Sequence, residues 1–214
     1  MDVLVRLDET RSAINVLEHP FYERWSAGEL SAGELSRYAG EYRHAVVALA
    51  KASAQAAESA AQELRPGLRR HADEEAAHVA LWEQFERATG EHARDDQSVL
   101  PETNACVQAW TAGEDLLEQL AVLYAIEASQ PQISTTKLDG LTAHYGFSEE
   151  GPATEYFKVH ESLDVEHAHQ ARELITQLMS EVVNPEEQAD RMVRRASEAL
   201  RGNWLLLDGV EAGA

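Results

Sequence analysis

Cysteine, basic residues and long apolar runs are all scarce in these 214 residues, and each shortage removes a class of protein. The single cysteine, Cys106, permits no intrachain disulfide and no thiolate metal cluster, which fits a reducing compartment. Eighteen Lys and Arg stand against 38 Asp and Glu, and the resulting charge of −20 repels nucleic-acid phosphates and anionic lipid headgroups alike. Neither nucleic acid nor a membrane is therefore an expected partner. No run approaches the ~18 apolar residues a membrane span needs. Asp2, Arg6, Asp8 and Glu9 leave no apolar core for a secretory signal. A cytoplasmic protein is the expectation.

The six prolines, at 20, 66, 101, 131, 152 and 185, mostly stand where a helix can begin, since the first turn has no use for the missing N–H. Between them the apolar spacing is helical, and no segment alternates as a strand would. Ser31 followed by Glu34 gives a capping box for a helix reaching the mid-50s. Gly90 is placed to end the long helix that begins near Pro66, and a loop follows in "EHARDDQSVLPET". The pattern predicts an all-α bundle of seven or eight helices forming one domain over residues 1–214.

What stands out against this background is "HESLDVEHAH" at residues 160–169. His160, Asp164 and His167 recur at i, i+4 and i+7 and so share one helical stripe, while Glu166 and His169 point elsewhere. Bundle-core metal sites draw on facing helices and often use a Glu-x-x-His element. "HADEEAAH" supplies one in Glu75 and His78, with Glu74 as the competing carboxylate; His71 of the same run reads equally well as a surface residue. Glu127 interrupts the apolar "LAVLYAIEA", where an unpaired carboxylate is costly unless it is protonated, paired or bound to a cation. Glu41 precedes another apolar stretch. The seven candidate ligands are thus Glu41, Glu75, His78, Glu127, His160, Asp164 and His167, a supply suited to two divalent ions. Nitrogen and carboxylate donors without sulfur favour iron or manganese over structural zinc.

Through "HPFYERWSAGELS", "YAGEYRH", "DEEAAHVALWEQF", "LYAIEASQPQIS", "LTAHYGFS" and "YFKVHESLDVEHA", the chain resembles the haem-oxygenase-like dimetal oxidases, whose fold is shared with TenA and PqqC. Within that group it is most similar to CADD-like proteins. The resemblance implies two iron ions, or a mixed manganese and iron pair, with O2 as cosubstrate. It also implies synthesis of p-aminobenzoate from a tyrosine of the protein itself. The matching residues are Tyr22 for the ring and Lys137 for the amine, with Tyr38 as a second tyrosine beside the metals. The compact "EEAAH" instead resembles members that oxidise a small bound molecule. Two other classes are open: a TenA-like hydrolase of thiamin fragments, though Cys106 lies on a different helix from Glu127, and a metal-free binding module. A homodimer is compatible with all of these.

Overall fold

The computed structural model describes residues 2–90 and 99–213; residues 91–98 of the expected loop lie outside them. Eight helices of ten or more residues pack with one short helix, and the described residues contain no strand. In chain order they are α1 (Val3–Ala13), the short α2 (Pro20–Ala27), α3 (Ala32–Ser59), α4 (Arg65–Ala88), α5 (Pro101–Trp110), α6 (Leu116–Glu127), α7 (Gln130–His144), α8 (Glu155–Met179) and α9 (Pro185–Ala212). A 3-10 turn, Val16–Glu18, precedes α2.

The boundaries follow local chemistry. Ser31 accepts from the Glu34 amide and Glu34 accepts from that of Ser31, so the capping box opens α3 as its residues require. Pro20 and Pro101 are the first residues of α2 and α5, and Pro185 is the first of α9. Gly90, at φ 90°, takes the left-handed turn beyond α4 at little cost.

α3 runs along α4, α5 and α6 lie on α9, and both α6 and α7 lie on α8. Two apolar clusters result. One joins α2, α3 and the aromatic ends of α4 and α8 through Trp25, Tyr38, Tyr42, Trp82 and Phe157; the other joins α1, α6 and α9 through Leu7, Leu120, Met192 and Leu200. Between them α6 is buried along nearly its whole length, including Glu127 at 0 % exposure. A carboxylate in that position needs a counter-charge, and α4 and α8 provide its neighbours.

No described helix is long and apolar enough to cross a membrane.

Candidate metal centre

Two stripes of the same pattern face one another. On α8 it is His160, Asp164 and His167; on α4 it is His71, Glu75 and His78, again at i, i+4 and i+7. The rings of His71 and His167 lie 4.0 Å apart and those of His78 and His160 4.5 Å apart, so the two helices run antiparallel across the cluster. Glu127 enters from α6, its Oε1 2.8 Å from His71 Nε2.

All seven side chains are buried. One donor atom from each of His71, Glu75, Glu127 and His167 lies within 4.8 Å of the others, and the same holds for Glu75, His78 and His160. Glu75 belongs to both groups, the place a bridging carboxylate would occupy. Asp164 adds an oxygen 3.5 Å from His167 Nδ1.

Among the described residues eight of these inward atoms lack a hydrogen bond, although His71 Nε2 and Glu127 Oε1 face each other as an ion pair: His71 Nε2, Glu75 Oε2, both oxygens of Glu127, His160 Nε2, both oxygens of Asp164 and His167 Nδ1. One buried unsatisfied polar group costs about 1–3 kcal/mol. Eight in one place is an arrangement that metal ions would complete, and this donor set of imidazoles and carboxylates fits iron or manganese.

The outward atoms of two of the imidazoles are fixed. His160 donates from Nδ1 to the carbonyl of Tyr156 at 2.7 Å, which leaves Nε2 as the inward donor atom. Glu74 bonds His167 Nε2 at 3.0 Å, leaving Nδ1 inward. Such outer partners set the tautomer and orientation of a metal-binding histidine. The choice between the adjacent acids is thereby drawn: Glu75 is 1 % exposed inside the cluster, while Glu74 stands outside it and holds an imidazole.

Within the cluster the acids and imidazoles shift one another's protonation. Burial opposes a charged His167, yet Asp164, Glu127, Glu74 and Glu75 together push its pKa up to about 9. Burial raises the Asp164 carboxyl to about 6. Burial also opposes ionisation of Glu75, but His160 and His78 outweigh it and hold that carboxyl well below its usual range.

One sequence-predicted ligand is elsewhere. Glu41 on α3 accepts from the Leu100 amide at 3.3 Å and from the Thr103 hydroxyl. Leu100 is the N-cap of α5 and has no side-chain acceptor of its own, so Glu41 caps that helix from outside. His71 fills the vacancy in the count, giving four imidazoles and three carboxylates in place of three and four. The spacing that singled out residues 160–167 recurs at residues 71–78 and would have identified it. Glu166 and His169 are exposed on α8, as their phase requires.

The three residues implied as catalytic form a second, closed compartment. Lys137 is 1 % exposed on α7. Its Nζ lies 5.7 Å from the ring centre of Tyr22, 5.3 Å from that of Tyr38 and 4.5 Å from that of Tyr42, with Trp82 and Phe157 completing the box. Among the described residues Lys137 makes no ion pair, and burial brings its amine down to about 7. The hydroxyls of Tyr22 and Tyr38 are 3.5 Å apart. Tyr156 connects the compartments: its ring stacks on His160 at 3.9 Å and meets Trp82 edge-on at 4.9 Å.

A family model described as iron-containing redox enzyme matches residues 71–204, a span that begins at His71 and includes all seven buried side chains of the cluster. The chain belongs to this family. The matched span begins after α3 and so contains neither Tyr22 nor Tyr38. A 4-aminobenzoate synthase of Chlamydia trachomatis serovar D is 31 % identical over 97 % of this chain and 91 % of its own. One of Nitrosomonas europaea is also 31 % identical, over 96 % and 89 %. In fold, a TenA homologue of Pseudomonas syringae pv. tomato superposes with a TM-score of 0.82 at 20 % identity, covering 98 % of this chain and 91 % of that one.

Proposed function

We propose that the chain is an O2-dependent dinuclear iron oxidase that makes 4-aminobenzoate, with Tyr22 as the source of the ring and Lys137 as the source of the nitrogen. His71, Glu75, His78, Glu127, His160, Asp164 and His167 would hold the two ions, whose charge the three carboxylates largely balance. Ferrous ions bound there would supply electrons and open positions for reducing O2.

The observation that carries the proposal is Lys137: a buried amine with no ion pair among the described residues, enclosed by three tyrosines near a cluster of potential metal donors. A lysine retained in that setting pays a desolvation penalty that packing alone would remove. With its pKa near 7 it is partly neutral at physiological pH and carries the lone pair that nitrogen transfer requires. Burial pushes the phenols of Tyr22 and Tyr38 well above their usual range, so both stay protonated. Loss of an electron from Tyr22 must then be accompanied by loss of its proton, and the Tyr38 oxygen is the hydroxyl beside it.

The backbone holds the pair together. Trp25, three residues after Tyr22 on α2, donates from Nε1 to the Lys137 carbonyl at 3.2 Å. The contact depends on Gly140 one turn further along α7, where a Cβ would stand 2.4 Å from Trp25 Nε1.

The test is anaerobic loading with ferrous iron, exposure to O2, and analysis of both product and protein. The proposal expects about two irons per chain, 4-aminobenzoate, and mass changes at Tyr22 and Lys137. Unaltered Tyr22 and Lys137 in protein that has consumed O2 would remove it. A second reading, oxidation of a small bound molecule at the same metals, is favoured by a cavity that reaches His71 and His167 from solvent.

A further inference from the structure

The ligand cluster divides α4 and α8 into two ends. Trp82 on α4 and Tyr156 and Phe157 on α8 line the closed tyrosine–lysine box. At the other end, beyond His71 and His167, lies a cavity of about 290 Å³ between α4, α6 and α8. At 1.5 Å per residue, the eleven residues from His71 to Trp82 put roughly 16 Å of helix between the ends. Whatever occupies the cavity meets the His71–His167 end of the cluster and not the tyrosines.

We infer that this cavity binds a small organic cation with an apolar body, its charged end at the solvent-facing mouth and its body directed toward His71 and His167. The inner wall is hydrocarbon from Leu68, Leu120, Leu123 and Leu174. Two exposed carboxylates, Glu63 on the turn before α4 and Glu173 on α8, stand at the mouth, and among the described residues no Lys or Arg lines the cavity. Glu63 makes no ion pair among the described residues, while Glu173 lies 3.8 Å from the exposed His169. The wall therefore rewards apolar area and the mouth rewards positive charge, within a protein that is itself strongly anionic. The volume is at the small end for ligand sites, on the order of 300 Å³. At the floor stand His71 and His167, whose inward nitrogens face the acids of the cluster. Its relevance to oxidation rests on the metal-centre reading above, but ligand binding can be measured separately.

The probes are n-hexylammonium, n-hexanol and n-hexanoate, equal in chain length and different in charge. Each is titrated calorimetrically into the protein as purified and again after anaerobic ferrous loading, with iron counted in parallel. The expected order is ammonium over alcohol over carboxylate, the first and last differing at least about tenfold at low salt. Replacing both Glu63→Gln and Glu173→Gln weakens hexylammonium about fivefold, the scale of partly exposed charge pairs, and leaves hexanol unchanged. Gly67→Phe is designed to fill the cavity: Gly67 lines it, and a Cβ there meets no atom within 4 Å, so the backbone position itself accepts a side chain. That variant should abolish binding of hexylammonium while keeping the parent's unfolding temperature. Hexanoate binding as tightly as hexylammonium, or hexylammonium binding unchanged in folded Gly67→Phe, would overturn the inference. Absent iron with intact hexylammonium binding would refute the metal centre and leave this site standing.

Discussion

Replacing Lys137 by methionine should stabilise the protein at neutral pH while abolishing its chemistry. The amine is fully buried and its pKa falls from 10.5 to about 7, the cause being desolvation. Each tenfold change in a protonation constant corresponds to about 1.4 kcal/mol, which sets a ceiling of about 5 kcal/mol on the destabilisation. Five aromatic rings lie 4.5 to 5.7 Å from Nζ, and cation–π attraction returns part of that cost. A net gain of about 2–4 kcal/mol is expected for Lys137→Met, whose unbranched side chain fills a similar space. The pH dependence has a definite sign. From about pH 10.5 down to about 7 the unfolded chain takes up a proton on Lys137 that the folded chain refuses, so stability falls as pH falls through this window. Below about 7 the loss is complete. The parent should therefore gain stability from pH 7 to pH 10 relative to the variant, and the two should converge at the upper end. Urea unfolding of both proteins in chelator, at pH 7 and pH 9.5, measures this. A variant no more stable than its parent at pH 7, or one with the same pH slope, would refute the account of Lys137 as a desolvated, unpaired amine.

Other outcomes follow from the metal cluster and its surroundings. His71→Ala should lower the metal content by about one ion per chain, while Glu41→Gln should leave it unchanged and lose only an α5 cap, about 1 kcal/mol in unfolding free energy; metal analysis and unfolding of both variants decide between the two residues. Because His167 is held protonated up to about 9, metal loading at pH 7.5 should release protons, and affinity should rise with pH until about 9; the release is read in weakly buffered solution, and its absence would contradict the cluster's protonation. Glu74→Gln should keep the fold and weaken metal binding roughly tenfold, the scale for removing an outer partner of a ligating histidine; a change confined to product yield at unaltered metal affinity would speak against that role. Tyr22→Phe should retain the metals and form no 4-aminobenzoate, with a stability cost of about 1 kcal/mol for the hydroxyl contact to Tyr38.

Much of the scaffold was legible in the residues because its signals are local. Ser31 and Glu34 carry their own hydrogen-bonding rule, and so do prolines at helix starts. His160, Asp164 and His167 were legible for a related reason, since a stripe on one helix needs only the helical repeat. Glu127 was marked by the cost of a carboxylate in apolar surroundings. Glu41 and His71 were harder because each turns on a neighbour remote in sequence. Nothing near Glu41 says that the N-terminus of α5, some 60 residues away, lacks an acceptor. Nothing in "RRHADEE" says which face of α4 meets α8; only comparison with the His-x3-acid-x2-His spacing of α8 would have given the phase. Lys137 is the clearest case: lysine composition predicts the surface, and only the assembly of α2, α3, α4 and α8 around α7 closes a box over it.

The central claim is that the protein's own tyrosine and lysine become product. Its most direct measurement uses protein grown with ring-13C tyrosine and 15N-ε lysine, loaded with ferrous iron without oxygen, exposed to O2, and analysed by mass spectrometry. The account predicts 4-aminobenzoate carrying both labels, with matching losses at Tyr22 and Lys137. Unlabelled 4-aminobenzoate, or O2 consumption with both residues intact, would contradict it.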